Sequence, residues 1–290
     1  MTEKNLYDKI YRWILIVPAL VLIFSIFQLV QFYKIHGDII QKDVSLTGGT
    51  TITVFEKDIF VKDIEGEIKK EFPDASIRGI SDIRTGKQEG FFVDSTIEAQ
   101  ELKEGLEKIL NYKLTNENSS IEFTGAALSS GFYQQLQKAV FFAFLFMAIV
   151  VFITFRTFVP SITVILCAFT DIVMTIATVN LIGMDISSAG IVAFLMLIGY
   201  SVDTDILLTS RVLKRTEGSV NEKIFGAFKT GITMTLTSIV AVGASLIIIY
   251  NFSDALRQIF SILLIGLGFD IFNTWITNAS IIKWYVERKQ

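Results

Sequence analysis

Cysteine and histidine are nearly absent from this chain, with Cys167 and His36 the single residue of each kind among 290. One cysteine excludes an internal disulfide, so a domain outside the cytoplasm would be held by its apolar core alone. A histidine-based metal site or a Ser-His-Asp triad would have to be built on His36. A phosphate loop is missing too, because Gly48-Gly49 is not followed by Gly-Lys-Ser/Thr or a helix start. No catalytic residue, metal ligand set or cofactor is expected. Positive charge is not in excess: the formal net charge is −3 and no basic patch stands out, which excludes a nucleic-acid partner. Charge of either sign is scarce, at 19% of residues against 51% hydrophobic, where soluble domains carry about 25% charged residues.

What charge there is falls unevenly. Residues 34–137 hold 12 basic and 18 acidic side chains, 30 of the chain's 55 charges, and the other 186 residues hold 25. The pattern is one polar domain set into an apolar chain, which excludes a soluble enzyme and a disordered protein. Crossing a bilayer takes about 20 mainly apolar residues. Six stretches qualify: 13–33, 138–155, 160–182, 187–210, 226–250 and 258–282. The first follows Lys4, Lys9 and Arg12 but is too long for a signal-peptide core and lacks a cleavage site, so it reads as a permanent anchor.

Basic residues of the short loops fix direction. With the N-terminus inside, twelve fall on the cytoplasmic side, among them Lys4, Arg156, Arg211, Lys229 and Lys283, and only Arg257 falls on the other. Both termini, 1–12 and 284–290, are thus expected in the cytoplasm and the insert 34–137 outside. In that insert, Val44–Glu56 alternates as a strand interrupted by Gly48 and Gly49, a pairing that marks a bulge or a close backbone approach. Helices are expected over Phe60–Phe72 and Thr96–Leu110, and further strands over Ala75–Ile83, Gly90–Asp94 and Ser119–Phe123. The order βαββαβ implies a ferredoxin-like α+β domain. The expected fold is an α-helical polytopic membrane protein, with six transmembrane helices and this domain between the first and second.

Ionisable groups deep in a span cost at least about 2.5 kcal/mol each and therefore point to function. Asp171 lies midway along span three, Asp270 midway along span six, and Asp203 and Asp205 in span four; Lys229 and Arg211 lie near inner span ends. Residues two apart on a helix project about 200° from each other, so Asp203 and Asp205 face different surroundings. Ser201 and Thr209 flank Asp205 by one turn. A proton carrier needs a carboxylate taken out of water that loads and releases near neutral pH. Against this stands a structural lock, in which each acid is satisfied by Thr, Ser or a basic partner. Two carboxylates within one turn are hard to justify as packing, so the span-four pair reads as functional. Thr230, Thr233, Thr237, Ala241 and Ala244 form one small, hydroxylated face of span five, suited to close helix packing or to lining a polar path.

These features together are similar to one half of a resistance-nodulation-division (RND) transporter. More closely, Asp43-Val44-Ser45-Leu46-Thr47-Gly48-Gly49-Thr50 after span one and Gly199-Tyr200-Ser201-Val202-Asp203-Thr204-Asp205, followed by Arg211-Val212, resemble the signatures of the SecD/SecF family of protein-export membrane proteins. Gly125 to Lys138 and Lys229-Thr230 through Ser238 resemble its lead into span two and its fifth span. The resemblance implies an SecF-type accessory subunit of the Sec translocon that pairs with SecD, contacts exported polypeptide chains and the translocon pore, and draws on the proton-motive force through a fourth-span Asp. Bacterial members read Gly-Tyr-Ser-x-Asn-Asp-Thr, which puts that Asp at Thr204; here Asp203 and Asp205 stand on either side, as in an archaeal branch. Lys229 stands where bacterial members often have Arg. Half of a heterodimeric RND-type exporter and a scaffold for SecD are the competing expectations.

Overall fold

The computed structural model describes residues 6–57, 59–81, 85, 87–250 and 253–289. Lys4 and Ile83, used above for orientation and for a strand end, lie outside them. Six helical segments are long and apolar enough to cross a membrane: Tyr7–His36, Ala126–Phe155, Phe158–Leu181, Ser188–Lys214, Val220–Ile249 and Asp254–Glu287. The first comprises α1 (Leu6–Ile14) and α2 (Ile16–His36). The others are α6 (Ala126–Phe155), α7 (Phe158–Leu181), α8 (Ser188–Lys214), α9 (Val220–Ile249) and α10 (Asp254–Phe272), the last continuing through a π-helical turn, Asn273–Asn278, into α11 (Ala279–Glu287). Each helix except the fourth starts before its apolar run, because length is set by backbone hydrogen bonding and caps rather than by hydropathy. α6 starts twelve residues before Lys138, inside the range expected for the polar domain, and α9 starts at a capping box of Ser219 and Glu222.

Spans three, four and six are packed inside the bundle, whereas spans one, two and five expose most of their side chains. The polar side chains of the buried helices therefore bond one another or nearby backbone carbonyls.

Between α2 and α6 lies the α+β domain. Its strands are β1 (Gly49–Val54), β2 (Ser76–Ser81), β3 (Gln88–Ser95) and β4 (Ser119–Thr124), and its helices are α4 (Val61–Glu71) and α5 (Ala99–Leu110). They form one antiparallel sheet of order β2-β3-β1-β4, the split βαβ arrangement. Ile52 pairs with Val93, and both face a core closed by Ile64 and Ile68 of α4 and Leu102 and Leu106 of α5. Alternate residues, Thr51, Arg78, Phe92 and Asp94, look toward the bundle across an open cleft of about 1110 Å³. Arg78 pairs there with Asp94 and reaches Asp254 at the start of α10, Nε to Oδ2 3.4 Å.

The glycine pair does not interrupt a strand but lies where one begins. Val44–Thr47 forms a short helix, α3, capped by Asp43 accepting from Ser45 N–H at 2.5 Å, and β1 begins only at Gly49. Gly48 has φ +83° and Gly49 φ +147°. A Cβ on Gly48 would run into the backbone of Ala126, and one on Gly49 into the Ser95 carbonyl. The pair is the close backbone approach its composition suggests, and it seats the domain on the start of α6.

A buried carboxylate cluster as the candidate functional site

The acids of spans three, four and six converge. Asp171 of α7, Asp205 of α8 and Asp270 of α10 are 0%, 0% and 1% exposed. Ser201 Oγ donates to Asp171 Oδ2 at 2.5 Å, and Asn273 Nδ2 donates to Asp171 Oδ1 at 2.6 Å. Thr204 Oγ1 lies 3.1 Å from both oxygens of Asp270. Thr274 Oγ1 stands between the other two acids, 2.9 Å from Asp205 Oδ1 and 3.2 Å from Asp270 Oδ1. Asn278 Nδ2 donates to Asp205 Oδ1 at 2.7 Å and lies 3.4 Å from Thr209 Oγ1.

A π turn makes this convergence possible. Five residues of α-helix carry a side chain about 140° past a full turn, which would turn Asn278 away from the face that carries Asn273. In a π turn, i→i+5 bonding brings residues five apart close to one turn. Asn273 thus reaches α7 while Asn278 and Thr274 reach α8, all from one stretch of span six.

The donor count is informative. Five side chains, Ser201, Thr204, Asn273, Thr274 and Asn278, serve five of the six carboxylate oxygens, and none of the five is a cation. A threonine hydroxyl has one proton, so Thr274 donates to Asp205 or to Asp270 at any moment. Among the described residues, Asp205 Oδ2 and Asn273 Oδ1 are buried without a hydrogen-bond partner. Three ionised carboxylates out of water with no counter-charge are strongly unfavourable. Among the described residues, no three His, Cys, Asp or Glu side chains converge as metal ligands; hydroxyls and amides stand between the acids.

Not all the sequence candidates meet here. Asp203 is exposed on the opposite side of α8, as its 200° offset requires, on a stripe with Val192, Met196 and Tyr200. Arg211 bonds the Gly226 carbonyl and lies 3.1 Å from Thr230 Oγ1, tying α8 to α9 instead of reaching the acids. Lys229, Thr233 and Thr237 are exposed along α9. The threonine hydroxyls donate to carbonyls four residues back, Thr233 to Lys229 at 2.8 Å and Thr237 to Thr233 at 2.7 Å. A hydroxyl so satisfied leaves a smooth surface, which suits packing better than a polar path. Thr204, Asn273, Thr274 and Asn278 carry no charge and escaped a search for ionisable groups. For Asn273, Thr274 and Asn278 the signal was the spacing from Asp270, at i+3, i+4 and i+8, within an apolar span.

The family model for "Protein export membrane protein SecD/SecF, C-terminal" matches residues 106–288. A protein-export membrane protein SecF from Methanocaldococcus jannaschii is 40% identical over 286 residues, covering 96% of each chain. One from Pyrococcus furiosus is 32% identical over 288 residues, covering 99% of this chain and 95% of its own. Among solved structures, SecDF from a Thermus species, described as a translocon-associated membrane protein, superposes with a TM-score of 0.73 at 17% identity, over 98% of this chain and 39% of that one. At that identity the likeness concerns the fold alone, and this chain spans well under half of the solved chain. Matching relatives along nearly its whole length, this chain belongs to the SecD/SecF family of protein-export membrane proteins, among its SecF members.

Proposed function

We propose that this chain is the SecF-type subunit of a complex with a SecD-type partner that assists polypeptide export at the Sec translocon pore, and that ions, protons in the simplest chemistry, enter its working cycle at Asp171, Asp205 and Asp270. The observation that carries the proposal is the set of three buried carboxylates bonded by five neutral donors and no cation. Loading positive charge relieves that imbalance and releasing it restores it. Because Thr274 bridges two of the acids, a change of charge on one redirects the hydroxyl that serves the other. The charge bias of the loops supports cytoplasmic termini and a domain outside, where it meets the emerging chain or the partner's outer domain.

The partner packs against the exposed stripe of α8 that carries Asp203 and the small face of α9 with Thr233 and Thr237. Small residues with self-satisfied hydroxyls suit helix contact in lipid. A SecDF chain matched over only 39% of its length has room for a second unit of this size. The test replaces Asp205 by Asn and follows release of a secreted reporter, with the subunit still present. Release is expected to fall at least tenfold, toward that of cells lacking the subunit. Normal release by a paired Asp205→Asn protein overturns the coupling role, and failure of a second six-span protein to co-purify overturns the partnership.

A further inference from the structure

Between the domain and the acid cluster lies an apolar layer that the site described above does not use. Gln258 and Ser261 of α10 line a cleft of about 780 Å³ under the domain. Residues 262–269, Ile-Leu-Leu-Ile-Gly-Leu-Gly-Phe, then carry no polar side chain before Asp270. Asp270 lies nine positions beyond Ser261, about 13 Å of helix. α8 shows the same three levels. At its domain end, Ser187 N and Oγ bond Gln258 Oε1 at 2.9 and 2.7 Å; Ser201 meets Asp171; between them Ile191, Phe194 and Leu197 are buried.

The two helices touch in the middle of this layer. Leu197 is fully buried, and a Cβ on Gly266 would overlap its terminal methyls, so the leucine lies directly on the glycine backbone. Gly266 precedes Asp270 by four residues and Leu197 precedes Ser201 by four. On both helices the contact therefore sits about 6 Å to the domain side of the acids. Ile262, Leu263 and, from α7, Val179 close around it. The hydroxyls of α7 nearby, Thr175 and Thr178, donate to carbonyls of their own helix at 2.6 and 2.8 Å.

We infer that Leu197 seated on Gly266 is the seal between the domain-side cleft and the acid cluster. An apolar constriction stops ions and protons by excluding water, and an apolar space stays dry. In this conformation the acids are closed to the domain side, and loading from that side requires Leu197 to leave Gly266. The functional meaning of the seal rests on the ion-coupling role proposed above; its existence does not.

Cys167, the single cysteine, is a native reporter. It is fully buried, with Sγ 3.9 Å from the Asn273 carbonyl, at the level of the acids. In the full chain in its native membrane, Leu197→Ala is expected to raise its reactivity toward a charged, membrane-impermeant methanethiosulfonate added on the domain side by at least tenfold. Leu197→Met, which keeps the volume, leaves it protected. Adding Gly266→Val to Leu197→Ala refills the space from the other helix and restores protection, a rescue that a merely loosened fold would not show. Equal labelling from both sides, or no rescue, overturns the seal. So does an unreactive Cys167 in Leu197→Ala, an outcome that leaves the acid reading untouched. Proton flux reported by a pH dye in vesicles of the Leu197→Ala protein separates the two ideas. A leak that Asp205→Asn abolishes supports both, whereas one that it does not reduce leaves the seal standing and overturns the acids as the route.

Discussion

Two polar knots, each built on a buried ionisable side chain, share span six and treat charge in opposite ways. Five residues beyond Asn278, Lys283 of α11 is 1% exposed. It pairs with Asp8 of α1, bonds Asn221 of α9 and lies 3.7 Å from Glu287 Oε1. The rings of Tyr7 and Tyr11 enclose its ammonium at 4.6 and 5.2 Å. Tyr11 Oη in turn donates to Glu287 at 2.8 Å, and Asn221 Nδ2 to Asp8 at 2.9 Å. Every charge in this knot meets an opposite charge or a π face, and three helices are fastened at one point. The acid cluster has three acids and, among the described residues, no cation within hydrogen-bond reach. A compensated knot has no reason to change its charge, whereas an uncompensated one gains by accepting positive charge. Burial of ionisable groups thus has two electrostatic outcomes, and the sign balance within hydrogen-bond reach separates them.

The largest expected effect tests the lock. Lys283→Met keeps length and apolar bulk but strands Asp8 and Glu287 opposite each other. Lys283 is buried, but Asp8 is only partly so and Glu287 is exposed, so losing the charged hydrogen bonds should cost about 2 kcal/mol. Thermal unfolding of the purified chain should show that loss, with α1 released first and accessible to protease. An unchanged unfolding midpoint would erase the contrast between the knots.

The acid cluster should respond in the opposite sense. Asp205→Asn removes a buried charge without a counter-charge and retains an oxygen that can accept from Thr274 or Asn278. Its stability is expected to stay within about 1 kcal/mol of the unaltered protein, although export is lost. A variant that unfolds as readily as Lys283→Met would make Asp205 a structural residue. Asn278→Leu sharpens the point: it removes the donor to Asp205 Oδ1 but leaves the acid, so export should fall by less than with Asp205→Asn.

Much of this arrangement was legible in the chain. The period of Ile64 and Ile68 against the alternation around Ile52 was enough for the split βαβ order, since each element had one apolar face to bury. Asp171, Asp205 and Asp270 stood out because charge is rare in an apolar run. Their meeting was not legible, because it depends on which spans pack inside and on a π turn that hydropathy does not encode. Lys283 counted in the sequence as a marker of the cytoplasmic side; only the fold places it in a cage, with partners 62 and 275 residues away. Helix geometry set Asp203 and Asp205 on different faces, but which of them faced the core was open until the helix had neighbours. The role of Gly48-Gly49 followed from glycine's lack of a side chain, but α3 did not, since Val44–Thr47 alternates like a strand and is turned into a helix by its Asp43 cap.

A third treatment of charge, outside the membrane, gives the smallest expected effect. Asp74, between α4 and β2, is exposed at the surface of the α+β domain. Burial of its carboxyl acts to raise the pKa, but donors outweigh it: Thr96 Oγ1 at 2.6 Å, Thr96 N at 2.8 Å and Ser95 Oγ at 3.0 Å hold it below the ordinary carboxylate value. A carboxylate lowered on folding stabilises the domain fully above its unfolded pKa, near 4. That contribution fades as pH falls toward and through the folded value. Asp185, in the turn between α7 and α8, is shifted the other way, by burial first and then by Asp43. It therefore opposes folding above its raised pKa and ceases to do so as acid protonates it. Between neutral pH and about 4 the Asp74 contribution should hold steady while the Asp185 penalty shrinks; below that, Asp74 is lost. Asp74→Ala should cost about 1 kcal/mol at neutral pH through its hydrogen bonds and flatten the acid limb of the unfolding midpoint plotted against pH. If that limb keeps its slope in Asp74→Ala, water and not Thr96 satisfies this carboxylate, and the difference between hydrated and membrane-buried acids is wider than the three knots together suggest.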